Sequence, residues 1–106
     1  MVKRDTPGYA IGGLAGGEDK GDFCRTVFKT AQMLPEHKPR YVMGIGYVID
    51  LLICSLLGAD MFDCVYATRT ARFGTVFTRD GDLKIKHATN RLDFNPIDSA
   101  CKCPTC

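Results

Sequence analysis

The sequence predicts an α/β fold built from parallel strands and connecting helices. Three short apolar runs alternate with two segments whose apolar residues recur at helical spacing, which gives the order strand, helix, strand, helix, strand. Three parallel strands leave exposed sheet edges, which native proteins normally avoid. A closed (β/α)8 barrel takes about 250 residues, and this chain has 106. We therefore expect the chain to be a piece of a larger barrel.

The first strand and helix follow from the spacing of apolar residues. Residues 9–15 are a short apolar segment that runs into glycines. Residues 20–34 carry their apolar side chains on one helical face, with polar residues opposite, and Pro35 and Pro39 mark the end of this helix. The residues expected on the buried face are Phe23, Val27, Ala31 and Leu34.

The second half of the predicted sheet is more apolar. Residues 40–45 have the composition of a buried strand, and residues 61–66 form another short apolar run. Between them, residues 47–57 are apolar nearly all round. This pattern predicts a helix that packs deeply against the sheet.

After Gly74 the pattern changes to that of a hairpin. Residues 75–78 and 83–86 flank Arg79-Asp-Gly-Asp82, whose Asp-Gly pair is a turn signal. Residues 88–100 are expected to be irregular. The residues expected to be solvated, rather than to form a basic binding edge, are Lys84, Lys86 and His87.

Composition excludes several classes of protein. With 45% hydrophobic and 25% charged residues the chain has the composition of an ordinary globular domain, and its net charge of +2 is too small to indicate a nucleic-acid partner. No apolar run reaches the roughly 18 residues of a membrane span, and a signal-peptide layout is absent from the N-terminus. The six cysteines are therefore expected to be reduced, some of them on metal. Buried positions are expected for Cys24, Cys54 and Cys64.

A carboxylate at the mouth of the third predicted strand is a candidate nucleophile. Asp63 lies there, and Arg69 and Arg72 follow at a spacing that would let two guanidinium groups hold phosphates. The ordinary alternatives are a carboxylate that caps or ion-pairs a strand end and two solvated arginines. Asp60, which precedes the strand, is expected to face solvent or a structural partner.

Three cysteines at the end of the chain have the spacing of a structural zinc site. Cys101, Cys103 and Cys106 would supply three thiolates, and zinc takes four tetrahedral ligands. His37, His87 or Cys64 could supply the fourth ligand only if the fold brought one of them close.

Five motifs in this order resemble the tRNA-guanine transglycosylase family, and most closely its eukaryotic, queuine-inserting type. They are GGLAGGE at residues 12–18, RYVMGIG at 40–46, DMFDCV at 60–65, TRTARFG at 68–74 and CKCPTC at 101–106. The resemblance covers essentially the whole chain. It implies the C-terminal part of a (β/α)8 barrel over residues 1–74, and a hairpin with the start of a zinc-binding subdomain over residues 75–106.

The resemblance implies a pentosyltransferase that exchanges guanine at the wobble position of tRNA for queuine. Asp63 would attack the ribose C1′ and form a covalent ribosyl-aspartate, which the incoming base then displaces. The target base must leave its stack to be reached. The resemblance also implies a structural zinc ion whose fourth ligand is a histidine beyond residue 106.

The remaining roles are carried over residue by residue. The family pattern implies base contacts from Gly13, Leu14 and Ala15, room for the cyclopentenediol of queuine at Gly16, and a base held between Met43 and Gly44. Without the resemblance, the glycine run would be an ordinary turn and Met43 an ordinary core residue. Arg69 and Arg72 would contact the phosphates and the anticodon loop of the tRNA. Glu18 would lie near the base edge or be a surface carboxylate.

The resemblance further implies a heterodimer with a homologous accessory subunit, in the cytoplasm or peripherally at the mitochondrial outer membrane. The general base of the family belongs to the first half of its barrel, so this chain alone is expected to be inactive and to aggregate through its open sheet. Two other classes of protein share some of these features. One is the catalytically silent accessory subunit, disfavoured by Asp63 and the glycine run, and the other is a zinc-knuckle RNA-binding module, disfavoured by the small net charge.

Overall fold

Three parallel strands form a sheet, as the sequence predicts. The computed structural model describes residues 1–106, which divide into two compact units, Met1–Tyr66 and Ala67–Cys106. In the first unit, β1 (Tyr9–Ile11) pairs with β2 (Arg40–Val42), and β2 pairs with β3 (Met61–Phe62). The prediction of an α/β fold with parallel strands is confirmed.

The two helices that connect these strands supply one side of the core. The first, α1 (Lys20–Met33), begins where the Asp19 carboxylate accepts hydrogen bonds from the next backbone amides, and it ends before Pro35. The second, α2, spans Val48–Leu56. The buried cluster between helices and sheet consists of Ile11, Phe23, Val27, Val42, Ile45, Cys54 and Ala59, and includes two of the residues expected on the buried face of α1. A third, Ala31, is also buried, and Leu34 is half-buried.

The prediction that residues 47–57 form a helix packed deeply against the sheet is confirmed for the helix and for one face of it only. Only Asp50 and Cys54 are buried on this helix. Its other face presents an apolar stripe to solvent, made of Val48, Ile49, Leu52 and Leu56, the last of them 87% exposed. The helix contacts the sheet on one side, and the 66 residues of this unit provide no second layer to cover the other.

The second and third strands are shorter than predicted. The strand expected over residues 40–45 ends at Val42, because Gly44 turns the chain with a φ of 78°. The strand expected over residues 61–66 ends at Phe62, and a helix that the sequence analysis missed, α3, spans Tyr66–Arg72. No residue of α3 is buried, so it has no apolar stripe from which periodicity could predict it.

The second unit contains the predicted hairpin in a shifted register. Here β4 (Thr75–Thr78) pairs antiparallel with β5 (Gly81–Lys84), with Thr78 opposite Gly81, so the turn is Arg79-Asp80. The predicted second strand, residues 83–86, began two residues too late, because Gly81 is the first strand residue and not a turn residue. Beyond the hairpin, only the short 3-10 helix Ala88–Asn90 interrupts irregular chain, as expected.

The three cysteines outside the terminal cluster differ in burial. Cys54 is buried, as predicted, and Cys24 is half-buried. The prediction of a buried Cys64 is wrong: it is exposed, because β3 ends two residues before it. No helix of the structure is long and apolar enough to cross a membrane.

Candidate active site

Asp63 lies at the carboxyl end of the parallel sheet, one residue beyond β3. The loops that follow β1 and β2 leave the same edge, because parallel strands end on the same side of a sheet. Residues 12–19 form the first of these, which we call the glycine loop, and residues 43–47 form the second, which we call the methionine loop. Functional groups of parallel α/β folds typically lie on this side.

Two donors hold the same oxygen of the Asp63 carboxylate. The Tyr41 hydroxyl donates to Asp63 Oδ1 at 2.6 Å, and the Gly44 amide donates to the same atom at 3.0 Å. The hydrogen bond from Tyr41, and then that from Gly44, lower the pKa of the Asp63 carboxyl, while the pKa of Tyr41 is raised by the bond that it donates to Asp63. The carboxylate is therefore ionised, and both donors orient it through Oδ1.

Tyr41 is a functional candidate that the sequence analysis missed. It lies on β2, and its register partner on β3 is Met61, two residues before Asp63. Side chains two apart on neighbouring strands share a face and lie within reach of a long side chain. The pairing register, had it been worked out from the strand assignments, would have pointed to this tyrosine.

The glycine loop and the methionine loop contact each other. The Met43 amide donates to the carbonyl oxygen of Ile11 at 3.1 Å. A Cβ atom on Gly12 would lie 3.0 Å from the Met43 sulfur, and one on Gly44 would lie 3.1 Å from the Ala15 Cβ. The structure therefore brings Met43 and Gly44 against the segment that contains Gly13, Leu14, Ala15 and Gly16.

Gly16 has more free space around it than Gly12. A Cβ atom on Gly16 would have only one neighbour within 4 Å, a carboxylate oxygen of Glu18 at 3.5 Å. The other carboxylate oxygen of Glu18 accepts a hydrogen bond from the Gly16 amide at 3.0 Å. The position thus faces open space beside a carboxylate, and the local structure does not require a glycine there.

The arginines predicted to contact tRNA lie on α3. Arg69 and Arg72 are exposed in its last turn, at a spacing of three residues that places them on one face, and neither forms an ion pair. Within the same unit, the Lys86 ammonium donates to the Arg72 carbonyl at 3.4 Å, and its stem lies against Gly74. The Lys86 ammonium therefore lies at the end of the helix whose last turn carries both arginines.

The side chains expected to have no role in a site behave largely as predicted. The Asp60 carboxylate accepts a hydrogen bond from the Arg40 backbone amide at 2.8 Å, so it has the structural partner expected of it. Lys84 and His87 are exposed. Lys86, expected to be only solvated, is also exposed but makes the contacts with Arg72 and Gly74 described above.

The three terminal cysteines form a cluster that suits a metal ion. The sulfur atoms of Cys101, Cys103 and Cys106 all lie within 4.8 Å of one another, and the last two are 3.6 Å apart. Sulfur atoms around a tetrahedral zinc lie about 3.8 Å apart, from Zn–S bonds of about 2.3 Å. The donor set and spacing therefore fit zinc, with three protein ligands in the cluster. His87 of the same unit is not one of them.

The thiols of this cluster differ in acidity. A hydrogen bond from the Cys106 backbone amide, followed by bonds from the Cys101 and Cys106 thiols, lowers the pKa of Cys103 to about 7. The pKa of Cys106 is raised to about 11, because its hydrogen bonds with the Cys101 and Cys103 thiols favour its protonated form. One thiolate therefore forms readily, and a cation is needed to hold all three, as metal binding supplies.

Comparison with known proteins gives a consistent result over the whole chain. The family described as Queuine tRNA-ribosyltransferase matches residues 1–106. A relative named queuine tRNA-ribosyltransferase catalytic subunit, from Schizosaccharomyces pombe, is 55% identical over 106 residues, which are 100% of this chain and 26% of the relative. One of the same name from Caenorhabditis elegans is 57% identical over 107 residues, 100% of this chain and 27% of the relative.

A bacterial relative is similar to the same extent. The queuine tRNA-ribosyltransferase of Verminephrobacter eiseniae is 53% identical over 106 residues, again 100% of this chain and 27% of the relative. The chain thus spans about a quarter of the length of the curated relatives that it matches.

Proposed function

The chain belongs to the queuine tRNA-ribosyltransferase family, and we propose that it supplies the nucleophile and part of the base site of a tRNA-guanine transglycosylase. The observation that carries this proposal is the Asp63 carboxylate, ionised and held through one oxygen by Tyr41 and Gly44. The substrates would be a tRNA with guanine at the wobble position and free queuine. The reaction class would be pentosyl transfer.

The proposed chemistry is two displacements at the ribose C1′. In the first, Asp63 Oδ2 forms a bond to C1′ as the bond from C1′ to the guanine nitrogen breaks, and guanine leaves with the electron pair and takes up a proton on that nitrogen. In the second, a ring nitrogen of the incoming base gives up its proton and forms a bond to C1′, and the carboxylate leaves with its electron pair. This chain would hold the carboxylate in one orientation throughout, because both hydrogen bonds reach Oδ1.

The other proposed roles rest on the family and on the local geometry. The base would contact Gly13, Leu14 and Ala15 and lie against Met43 and Gly44, and the contact between the two loops supports this placement. Arg69 and Arg72 would bind tRNA phosphates, and the neighbouring Lys86 ammonium supports a cationic surface there. Zinc, when bound by Cys101, Cys103 and Cys106, would fix the end of the second unit.

The architecture and partners are proposed on the same basis. Residues 1–74 would be part of a (β/α)8 barrel, and residues 75–106 a hairpin with the start of a zinc-binding subdomain. A homologous accessory subunit would complete a heterodimer in the cytoplasm or at the mitochondrial outer membrane. The proposal is tested in a chimera in which this chain replaces the homologous segment of the Schizosaccharomyces pombe relative, by incorporation of labelled guanine and queuine into tRNA.

Replacing Tyr41 by phenylalanine in the chimera should lower kcat by roughly tenfold to a hundredfold, because the nucleophile loses one of the two groups that orient it. The Tyr41 hydroxyl lowers the pKa of Asp63, so the variant carboxyl should take up its proton at higher pH. The reactive form is the carboxylate. The acid limb of the profile of kcat/KM against pH should therefore move to higher pH.

Tyr9→Phe is the matched control for this measurement. It also removes one hydroxyl from a tyrosine of the same sheet, and the Tyr9 hydroxyl is buried and has no hydrogen-bond partner. This control should leave both kcat and the acid limb unchanged. An unmoved acid limb in Tyr41→Phe would contradict the assignment of Tyr41 as the group that holds the nucleophile.

Replacing Gly16 by valine should lower queuine incorporation by roughly tenfold or more and leave guanine exchange within a few-fold of the parent. The fold has room for the added carbons, since a Cβ atom there meets only a Glu18 oxygen. The side chain should therefore exclude the cyclopentenediol and not disturb the loop. The ratio of the two kcat/KM values measures the effect, and Gly16→Ala should fall between glycine and valine. Equal losses for both bases would refute this role of Gly16.

A further inference from the structure

The one buried charged side chain of this structure has no assigned role. Asp50 lies in the first turn of α2 and is 6% exposed. A buried carboxylate is costly unless a cation and hydrogen bonds compensate it. Its partner is Lys20, thirty residues earlier in the chain, whose ammonium donates to Asp50 Oδ2 at 2.6 Å.

This ion pair links the two loops that carry the proposed base-binding residues. Lys20 is the first residue of α1 and directly follows the glycine loop, whereas Asp50 lies three residues beyond the end of the methionine loop. The ammonium also lies near two rings, with its nitrogen 5.4 Å from the centre of Phe23 and 5.8 Å from that of Tyr47. The Lys20 side chain is thus held by the Asp50 carboxylate and by the two aromatic rings, although 68% of it is exposed.

A cleft of about 310 Å³ separates the two loops where the ion pair joins them. Ala15, Gly17 and Glu18 line it from the glycine loop, and Gly44 is among the lining residues of the methionine loop. Lys20 and Asp50 line the same cleft. The loops also approach each other directly, since a Cβ atom on Gly44 would lie 3.1 Å from the Ala15 Cβ. The loops are therefore held by the contacts of Met43 and Gly44 close to the strands and by the ion pair farther along both loops.

We infer that the Lys20–Asp50 ion pair sets the separation of the glycine loop and the methionine loop, so that both residues position the purine base. This inference rests on the proposed function. A planar base held between two loops needs their spacing fixed to within about half an ångström. Without the ion pair, the loops stay joined only near the strands that they follow, where Met43 and Gly44 lie against Gly12 and Ala15, and the base slot loosens. Base affinity then falls, while contacts to tRNA outside the slot stay intact.

The test compares Lys20→Met, Asp50→Asn and the double variant in the chimera. Lys20→Met leaves the buried carboxylate uncompensated, so the melting temperature should fall. The double variant leaves no buried charge, so its melting temperature should return toward that of the parent. In all three variants the KM for guanine should rise roughly tenfold, with the KM for tRNA unchanged. Lys20→Arg, which keeps the cation, should recover part of the guanine affinity.

Lys29→Met is the matched control, because Lys29 lies exposed on the same helix and forms no ion pair. It should leave the KM for guanine unchanged. A double variant that recovers both the melting temperature and the parent KM for guanine would overturn the inference, since the pair would then only neutralise a buried charge.

Equilibrium dialysis with labelled guanine separates this inference from the proposed function. A chimera that binds guanine but transfers no base would refute the proposed function, and the effect of the variants on guanine binding would still decide the inference. A chimera that binds no guanine would refute both.

Discussion

Replacing Asp63 by alanine in the chimera should abolish the covalent complex with tRNA and lower base exchange by at least about a thousandfold. Asp63 is the proposed nucleophile, and the hydrogen bonds from Tyr41 and Gly44 orient its carboxylate through Oδ1. A methyl group can neither attack the ribose nor stabilise positive charge at its C1′ carbon. The reaction would then lose its two-step route, not merely some affinity for substrate.

The measurement is a denaturing gel of protein incubated with a labelled anticodon stem-loop, because a ribosyl-aspartate ester survives denaturation whereas a non-covalent complex does not. The parent chimera should give a slower band that disappears when free guanine is added, since the base displaces the aspartate. Asp63→Ala should give no such band. Initial rates of guanine incorporation, measured on the same preparations, give the size of the loss.

Asp60→Ala is the matched control, as Asp60 is an exposed aspartate three residues earlier. Its carboxylate accepts from the Arg40 amide and thereby serves the backbone. This variant should keep the band and most of the rate. An Asp63→Ala chimera with parent turnover would refute the proposed nucleophile. The 106-residue chain alone is expected to show no exchange, which gives the baseline of the assay.

The first helix was predictable because the spacing of its apolar residues in the sequence matches the face that it buries in the fold. The spacing of Phe23, Val27 and Ala31 specified the buried face of α1, and Pro35 specified its end. The burial of α2 was not predictable from periodicity. Its composition describes a helix with neighbours on all sides, and the number of neighbours is a property of the tertiary structure.

The sequence alone identifies Asp63 and the terminal cysteines as candidates, but not the residues that hold them. Asp63 stands out by its place after a strand and within a motif, and the cysteines stand out by their spacing. Tyr41 does not stand out, since a tyrosine in a strand is common and its role depends on register with β3. The Lys20–Asp50 ion pair joins residues thirty positions apart, and no local pattern connects them.

Replacing Cys103 by serine should lower the zinc affinity of the chain by more than about a hundredfold. Mutation of a residue that only hydrogen-bonds to a metal ligand already lowers metal affinity by about 10-fold to 100-fold, and Cys103 would be a ligand itself. The cluster supplies three thiols, and a serine hydroxyl is a poor ligand for zinc. The parent chain should hold about one zinc ion per molecule after dialysis, and the variant almost none. Mass spectrometry measures the number of zinc ions per molecule, and a competition titration with a chelator measures the zinc affinity.

The consequence for structure should be confined to the second unit. Residues 88–106 contain only one short 3-10 helix and no buried residue, so few contacts other than the metal can order the segment that carries the cysteines. Hydrogen exchange of the amides in residues 101–106 should therefore become faster in Cys103→Ser. The amides of α1 and of the parallel sheet should keep their protection, because their core lies in the first unit.

Cys64→Ser is the matched control, because it removes an exposed thiol that belongs to the first unit. It should leave zinc content, chelator competition and hydrogen exchange of residues 101–106 as in the parent. Replacing zinc with cobalt gives an independent readout, since the thiolate-to-cobalt absorption reports sulfur ligation directly. Parent-like cobalt absorption and zinc content in Cys103→Ser would show that the three sulfur atoms, although close enough for one metal ion, do not bind it together.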